Sequence, residues 1–259
     1  MNLSVIALDY DGTIAQGDAL NPSVREAIAE ARRQGIVVLV TGRILDELRR
    51  VAGDLHFVDG VVAENGGVIH FPASGRTSLL APAVPENYLF ELQRRGIRFQ
   101  SGQCLLDADA NLAPRLLEVI RALELPLVLL FNKGRVMTLP QGVSKATGLR
   151  AALETLRLSP HNTLAIGDAE NDHELLRTAE IGVAVEWGSA ALRASADIVL
   201  QGGGPPAVAT FLRSLSGTRQ LPVAPRPRRR LLLGHLDLLL HAANRVGILV
   251  ELQPIALSD

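Results

Sequence analysis

Two hydrophobic patterns alternate along the first part of this chain. Apolar runs at 5–8, 36–40 and 57–63 are typical of strands that are buried on both faces of a parallel sheet. Between them, apolar residues recur at i, i+3, i+4 and i+7, from Val24 to Ala31 and again from Ile44 to Ala52, which predicts amphipathic helices. Strands and helices therefore alternate, as they do in α/β proteins with a parallel sheet.

The alternation of buried strands and amphipathic helices ends at about residue 67. Shorter apolar runs there enclose two helical patterns, which suits an antiparallel sheet with helices on one face. The strand candidates are 68–71, 97–106, 127–131 and 135–139, and the helix candidates lie near 85–95 and 111–123. The parallel rhythm returns at Ser144, a residue type that favours the N-cap of a helix, and continues through a strand at 163–166.

These patterns predict an α/β fold with a doubly wound, Rossmann-like parallel sheet and a smaller α+β domain inserted into it. The core comprises residues 1–67 and 142–216, and the inserted domain spans 68–141. Residues 217–259 form a Pro/Arg-rich linker and a Leu-rich tail whose role the sequence does not indicate.

The composition argues against a nucleic-acid-binding, a disulfide-bonded and a membrane-spanning protein. A net charge of −1 and one local basic run, Arg226–Arg230, give no indication of a nucleic-acid partner. The lone cysteine, Cys104, excludes an intrachain disulfide and fits a reducing compartment. No uncharged apolar stretch reaches the roughly 18 residues of a membrane span. We therefore expect a cytoplasmic protein with neither nucleic acid nor a membrane as its partner.

Polar and charged residues stand where the predicted strands end or the next helix begins. They are Asp9 and Asp11, Thr41, Lys145, and Asp168 and Asp172. Asp9 and Asp11 would share one face of a strand and repel each other unless a cation lies between them. Taken alone, Asp11-Gly12 reads equally well as a turn. However, the carboxyl ends of parallel strands meet in one crevice, where this set of carboxylates, hydroxyl and ammonium would bind Mg²⁺ and an anion.

Four ordered stretches resemble the motifs of the haloacid dehalogenase-like phosphohydrolase superfamily. They are DYDGT (9–13), VTGR (40–43), Lys145 in GVSKATGL, and GDAENDHELL (167–176). AENGG (63–67) and GVAVEWGSAALRASADIVL (182–200) look like landmarks of its Cof-type branch. The resemblance covers residues 2–215. It implies a type C2 α/β cap at 68–141, which is short for the Cof-type branch and closer in size to the caps of the archaeal phosphoglycolate phosphatase and sucrose-phosphatase-like groups.

The resemblance also implies the roles of the catalytic residues. Asp9 is the nucleophile that forms an aspartyl-phosphate, and Asp11 is the general acid and then the general base. Lys145 neutralises charge on the transferred phosphoryl group. The implied metal ligands are Asp9, Asp11 (through its main-chain carbonyl), Asp168 and Asp172, and the implied metal is Mg²⁺. Asp172 is either a direct ligand or a neighbour of the metal site that also orients Lys145.

The implied phosphate contacts are Gly12, Thr41, Gly42, Lys145 and Asn171. Arg43 either touches substrate or begins the following helix. Substrate choice belongs to the cap, where six polar residues could face the site. These are Arg98, Gln100, Gln103, Asn132, Lys133 and Arg135.

The expected function is a Mg²⁺-dependent phosphatase acting on a small phosphorylated metabolite, a sugar phosphate or a phosphoglycolate-like compound. Two alternatives remain open at this point. One is a phosphotransferase or phosphomutase on the same scaffold, and the other is a non-catalytic phosphate-sensing module. The sequence leaves the oligomeric state open between a monomer and a homodimer.

Overall fold

The structure is a computed structural model that describes residues 3–215, so the predicted linker and tail at 217–259 lie outside the described residues. The strands are β1 (Val5–Asp9), β2 (Ala15–Gln16), β3 (Ala19–Leu20), β4 (Ile36–Val40), β5 (Gly60–Ala63), β6 (Val68–Phe71), β7 (Arg76–Leu79), β8 (Gln100–Ser101), β9 (Leu106–Asp109), β10 (Leu127–Asn132), β11 (Arg135–Pro140), β12 (Thr163–Gly167), β13 (Ile181–Val185) and β14 (Ile198–Leu200). The helices are α1 (Pro22–Ala31), α2 (Leu45–Ala52), α3 (Glu86–Arg94), α4 (Ala113–Ala122), α5 (Lys145–Thr155), α6 (His173–Thr178), α7 (Ala190–Ser195) and α8 (Pro205–Leu215).

An eight-stranded sheet forms the core, in the order β14-β13-β12-β1-β4-β5-β6-β7. The strands from β14 to β5 in that order are parallel, and β1 lies between β12 and β4. One face of the sheet packs against α1, α2 and α8, and the other packs against α5, α6 and α7. The predicted doubly wound α/β fold is therefore confirmed, and the centre of the sheet carries the Asp9 motif at its carboxyl end.

The antiparallel edge of this sheet differs from the sequence-based expectation. Residues 68–71, expected in the inserted domain, form β6 and pair with β5, with Val61 opposite His70. A tight turn at Glu64–Gly66 reverses the chain, so β6 runs back along β5 and β7 follows it. This pairing argues for a start of the inserted domain after Leu79.

A second sheet of four antiparallel strands, in the order β10-β11-β9-β8, stands over the core. One of its faces packs against α3 and α4, through Tyr88, Leu92 and Leu116 among others. The opposite face turns Leu105, Met137 and Leu139 toward Ile44 of the core. We call this sheet with its two helices the lid. None of the helices within residues 3–215 has the length and apolar character needed to cross a membrane.

The predicted strand at 97–106 is instead two short strands, β8 and β9, with an irregular segment between them. The backbone amides of Gln103, Cys104 and Leu105 in that segment donate to the Glu64 carboxylate at 3.1, 2.8 and 3.2 Å. These amides are therefore committed to a side chain of the core and cannot join a strand ladder.

Candidate active site

A cleft of about 610 Å³ separates the carboxyl ends of β1, β4 and β12 from the lid. The core contributes Asp9, Asp11, Gly12, Gly42, Arg43, Lys145, Asp168 and Asn171 to its lining. Gln100, Asn132, Lys133 and Arg135 of the lid face it, whereas Arg98 and Gln103 are not among its lining residues. Thr41 and Asp172 are fully buried behind it. The cleft therefore brings together eight of the ten predicted site residues.

A chain of charged contacts runs from Asp9 through Lys145 to Asp172. The Lys145 ammonium donates to Asp9 Oδ1 at 2.6 Å and to Asp172 Oδ1 at 2.7 Å, and all three side chains are buried. Thr13 Oγ1 donates to the other oxygen of Asp9 at 3.2 Å. Burial alone would lower the pKa of Lys145, but the carboxylates of Asp172 and Asp9 outweigh it and raise that pKa. Lys145 is thus held as a cation beside Asp9.

The local sequence fixes Lys145 in this position. Ser144 caps α5 by accepting a hydrogen bond from the amide of Thr147, so Lys145 occupies the first turn of the helix. This turn packs directly on Gly66, which has φ = 109°, and a Cβ added there would overlap the carbonyl oxygen of Ser144. The AENGG stretch therefore lets α5 approach the core closely enough for Lys145 to reach Asp9.

Asp172 organises the loop that follows β12. Its Oδ2 accepts hydrogen bonds from the amides of Asp168 and Ala169 at 3.0 and 3.1 Å. With Oδ1 bound to Lys145, both oxygens of Asp172 have protein partners. Asp172 therefore positions both the ammonium of Lys145 and the loop that carries Asp168.

Asp9, Asp168 and Asp172 offer carboxylate oxygens that lie within 4.8 Å of one another. Burial raises the pKa of Asp9 well above its usual range; Asp172 raises it further, and Lys145 opposes them. Burial also raises the pKa of Asp168, which Lys133 opposes. Asp168 Oδ1 is buried and has no hydrogen-bond partner among the described residues. Buried oxygen ligands with too little positive charge around them fit Mg²⁺, whose ligands in proteins are carboxylates and phosphate oxygens.

Asp11 lies apart from this group and is bound by Arg43. The Arg43 guanidinium donates to both Asp11 oxygens, at distances between 2.7 and 3.0 Å, and to Asp18 at 2.7 Å. The Asp11 side chain is 35% exposed, so its carboxylate faces the cleft. The role of Arg43, which the sequence left open, includes holding the Asp11 carboxylate at the edge of the cleft.

Three of the predicted phosphate contacts border an open polar part of the cleft. Both side-chain polar atoms of Asn171 are buried without a partner among residues 3–215, and Gly42 lies beside this side chain. Gly12 has φ = 86°, and a Cβ added there would overlap Asp168 Oδ2, so only glycine fits. The Thr41 hydroxyl is turned inward and accepts from the Arg43 amide at 3.1 Å. The unpartnered amide nitrogen of Asn171 is a donor suited to an oxygen of an anion bound in the cleft.

Sequence reasoning assigned no role to two residues that touch the site. Trp187 Nε1 donates to the carbonyl oxygen of Gly12 at 2.7 Å and so fixes the loop after β1. Lys133, named only as one of several polar lid residues, donates to Asp168 Oδ2 at 3.2 Å. No pattern in the local sequence pairs either residue with its partner, because each contact joins segments that are distant along the chain.

Comparisons with known proteins show the family of this chain. The family model of the haloacid dehalogenase-like hydrolases matches residues 6–85 and 102–212. A phosphoglycolate phosphatase of Methanopyrus kandleri is 31% identical over 227 residues, which cover 82% of this chain and 97% of that protein.

Two solved structures share the fold. A Thermoplasma acidophilum protein, 0175, superposes with a TM-score of 0.68 at 18% identity and covers 83% of this chain and 98% of its own. BT4131, a subclass IIB sugar phosphatase of the superfamily, superposes with a TM-score of 0.63 at 17% identity and covers 82% and 97%. The family match across both parts of the core, with a curated relative above 30% identity, shows that this chain belongs to the haloacid dehalogenase-like hydrolases and is a phosphatase of that family.

Proposed function

We propose that this phosphatase hydrolyses a small phosphorylated metabolite, and specifically a phosphorylated hydroxy acid such as phosphoglycolate, with Mg²⁺ and through a phosphoenzyme formed on Asp9. The observation that carries the proposal is the environment of Asp9. Its carboxylate is buried in the lining of the cleft and accepts a hydrogen bond from the ammonium of Lys145, and the unpartnered polar atoms of Asn171 line the same cleft. The name of the Methanopyrus kandleri relative supports the choice of substrate class.

In the first step, an oxygen of Asp9 attacks the phosphorus atom and the bond from phosphorus to the leaving oxygen breaks. Asp11 donates its proton to that leaving oxygen, which departs as an alcohol. In the second step, Asp11 removes a proton from water, the water oxygen attacks the phosphorus, and the acyl-phosphate bond breaks. Asp9 is restored as a carboxylate and inorganic phosphate leaves.

Lys145 acts in both steps. Its ammonium is within hydrogen-bond distance of Asp9, so it lies next to the phosphoryl group during transfer and offsets the negative charge of the phosphoryl oxygens. A Mg²⁺ ion held by Asp9 and Asp168, with the carbonyl of Asp11 as a further ligand, would supply the rest of the charge neutralisation. Arg43 holds the Asp11 carboxylate at the cleft edge, where the leaving group exits.

The first experiment is a screen of phosphorylated metabolites, with release of inorganic phosphate as the measurement. We expect phosphoglycolate to be hydrolysed with Mg²⁺ and turnover to be lost after exhaustive chelation. Undiminished turnover in a chelator would remove the metal from the mechanism. An isomerised sugar phosphate in place of free phosphate would favour a mutase, and binding without turnover of any ester would favour a sensor.

The Asp11→Asn variant tests the covalent mechanism. A good leaving group such as p-nitrophenolate needs no proton, so p-nitrophenyl phosphate should still phosphorylate Asp9. An alkyl phosphate should react about 10²–10⁴-fold more slowly, the usual value of general acid–base help. Dephosphorylation loses its base, so intact-protein mass spectrometry should show the phosphoenzyme accumulating. If no phosphoenzyme forms with either ester, direct attack by water becomes the better mechanism.

A further inference from the structure

This chain contains 26 Lys and Arg residues, and two of them are lysines, Lys133 and Lys145. Both line the cleft. Lys145 neutralises charge beside Asp9, as described above. Lysine differs from arginine in presenting a compact, strongly hydrated point charge on a flexible stem, which a planar guanidinium does not reproduce. The placement of the second lysine at the opposite wall of the same cleft therefore indicates a function for its ammonium.

Lys133 lies at the tip of the lid, in the turn between β10 and β11. Its backbone has φ = 53°, in the left-handed region that glycine or asparagine adopts more readily. A two-residue turn between antiparallel strands requires this conformation, so the hairpin fixes the position from which the side chain extends. From this turn the side chain reaches Asp168 of the core. A Cβ added at Gly12 would lie 3.0 Å from the Lys133 nitrogen, so the lid tip also meets the loop after β1.

The two arginines of the cleft have side-chain carboxylate partners that are not among the proposed metal-binding carboxylates and that lie on the same side of the cleft as the arginine. Arg43 pairs with Asp11, Asp18 and Glu47 of the core. Arg135 pairs with Asp107 and Asp109 on its own sheet. Among the described ion pairs, Lys133 pairs with Asp168, a residue that we propose as a ligand of Mg²⁺. A bound metal would compete for that carboxylate and leave the Lys133 ammonium facing the cleft.

We propose that Lys133 determines substrate specificity: its ammonium exchanges Asp168 for the carboxylate of a phosphorylated hydroxy acid once a divalent cation binds. This inference rests on the proposed function. It names the residue that binds the carboxylate, the second anionic group of the substrate besides its phosphate. In the metal-free protein the Lys133–Asp168 pair reduces the charge of the carboxylate cluster. In the loaded protein the same ammonium, 56% exposed at the side chain, is available to the substrate.

Two non-hydrolysable probes test the proposal without using turnover. 3-Phosphonopropionate has the length of phosphoglycolate and ends in a carboxylate, whereas propylphosphonate has the same length and ends in a methyl group. Calorimetric titration in Mg²⁺ should show at least tenfold tighter binding of 3-phosphonopropionate to the wild type. Lys133→Gln should reduce this preference to threefold or less, and Lys133→Arg should restore part of it. Arg98→Gln, an exposed lid cation outside the cleft lining, is the matched control and should behave as the wild type.

A second titration uses Mg²⁺ alone. Lys133→Gln removes the competitor for Asp168, so its affinity for Mg²⁺ should be several-fold higher than that of the wild type. Unchanged Mg²⁺ affinity in Lys133→Gln overturns the proposal. A preference for 3-phosphonopropionate that survives in Lys133→Gln also overturns it, and Arg135→Gln would then test whether Arg135 binds the carboxylate instead.

Hydrolysis of p-nitrophenyl phosphate separates this inference from the proposed function. If the wild type hydrolyses this ester but binds the two phosphonates equally, the phosphatase stands and the role of Lys133 fails. If the wild type hydrolyses no ester, the proposed function itself fails.

Discussion

Two groups of buried carboxylates in this protein have opposite electrostatic environments. Glu64 is 1% exposed, and three backbone amides of the lid segment 103–105 donate to its two oxygens. Asp9, Asp168 and Asp172 are also buried, yet the one ammonium buried with them, that of Lys145, contacts only Asp9 and Asp172. Lys133 reaches the cluster only from the lid.

This difference in electrostatic environment distinguishes Glu64, a structural carboxylate, from the cluster of Asp9, Asp168 and Asp172, which we assign to the active site. Burial of a charge is costly unless hydrogen bonds or counter-charges compensate for it. Glu64 is compensated within the folded chain, so it joins the lid to the core. The aspartate cluster is compensated incompletely, as the raised pKa values of Asp9 and Asp168 show, and a dication with a phosphate would complete it.

Asp9→Asn should have the largest effect. An amide cannot form an acyl-phosphate, so turnover should fall by about 10⁴-fold or more, as in other enzymes that lose a nucleophile. Asp9→Asn removes one of three clustered carboxylates while Lys145 keeps Asp172 as its partner, so the urea midpoint in a chelator should be equal to or above that of the wild type. A lower midpoint would mean that the cluster is well compensated and would remove the contrast with Glu64.

Lys145→Met tests how much the Lys145 ammonium stabilises the buried carboxylates. This variant leaves the buried carboxylates of Asp9 and Asp172 without the ammonium that contacts both, and removal of one partner from a buried ion pair costs about 3–5 kcal/mol. Urea unfolding in a chelator should show this loss, and millimolar Mg²⁺ should restore more stability to the variant than it adds to the wild type. Equal gains from Mg²⁺ in both proteins would contradict a shared site.

Glu64→Ala should be destabilising by about 2–4 kcal/mol, because three amides lose a charged acceptor that water cannot readily replace in the buried segment. Its effect should be independent of Mg²⁺, in contrast to that of Lys145→Met. Glu154→Ala, which removes an exposed carboxylate from α5 outside the cleft lining, is the control for loss of charge alone. A Glu64→Ala defect that Mg²⁺ corrects would assign Glu64 to the catalytic cluster.

Removal of the Cys104 thiol should have the smallest effect, which is confined to the pH dependence of the stability. Cys104 is buried against Glu64, and burial together with the Glu64 charge raises the pKa of its thiol to about 12. An unfolded thiol titrates near 8.5, so the stability associated with the raised pKa is complete below about pH 8.5 and is lost as pH rises toward 12. We expect the urea midpoint of the wild type to fall more between pH 8 and pH 10 than that of Cys104→Ala. Identical pH profiles would show that the thiol is not sequestered.

Much of this molecule was predictable from the sequence, for a physical reason. The residues near Asp9, Thr41, Lys145 and Asp168 stand at strand ends or helix starts, and the topology of a parallel sheet brings those positions together whatever the rest of the chain does. The pairing of β6 with β5 was mispredicted because an apolar run of four residues carries no information about its partner strand.

Other features of the structure could not be predicted from local sequence patterns. The split of the predicted strand at 97–106 depends on Glu64, some forty residues earlier in the chain. The contact of Lys133 with Asp168 spans 35 residues and depends on how the lid stands on the core. Such contacts are set by tertiary packing, so neither periodicity nor spacing indicates them.

The attachment of Glu64 to segment 103–105 has a kinetic consequence. A lid joined to the core by its two chain crossings alone could swing about them with little resistance. Here any rotation that carries segment 103–105 away from the core must first break three hydrogen bonds to a buried carboxylate. We therefore expect this anchor, together with the packing of Met137 and Leu139 on Ile44, to make wide opening rare, so that ligands small enough to pass through the mouth of the cleft exchange fastest.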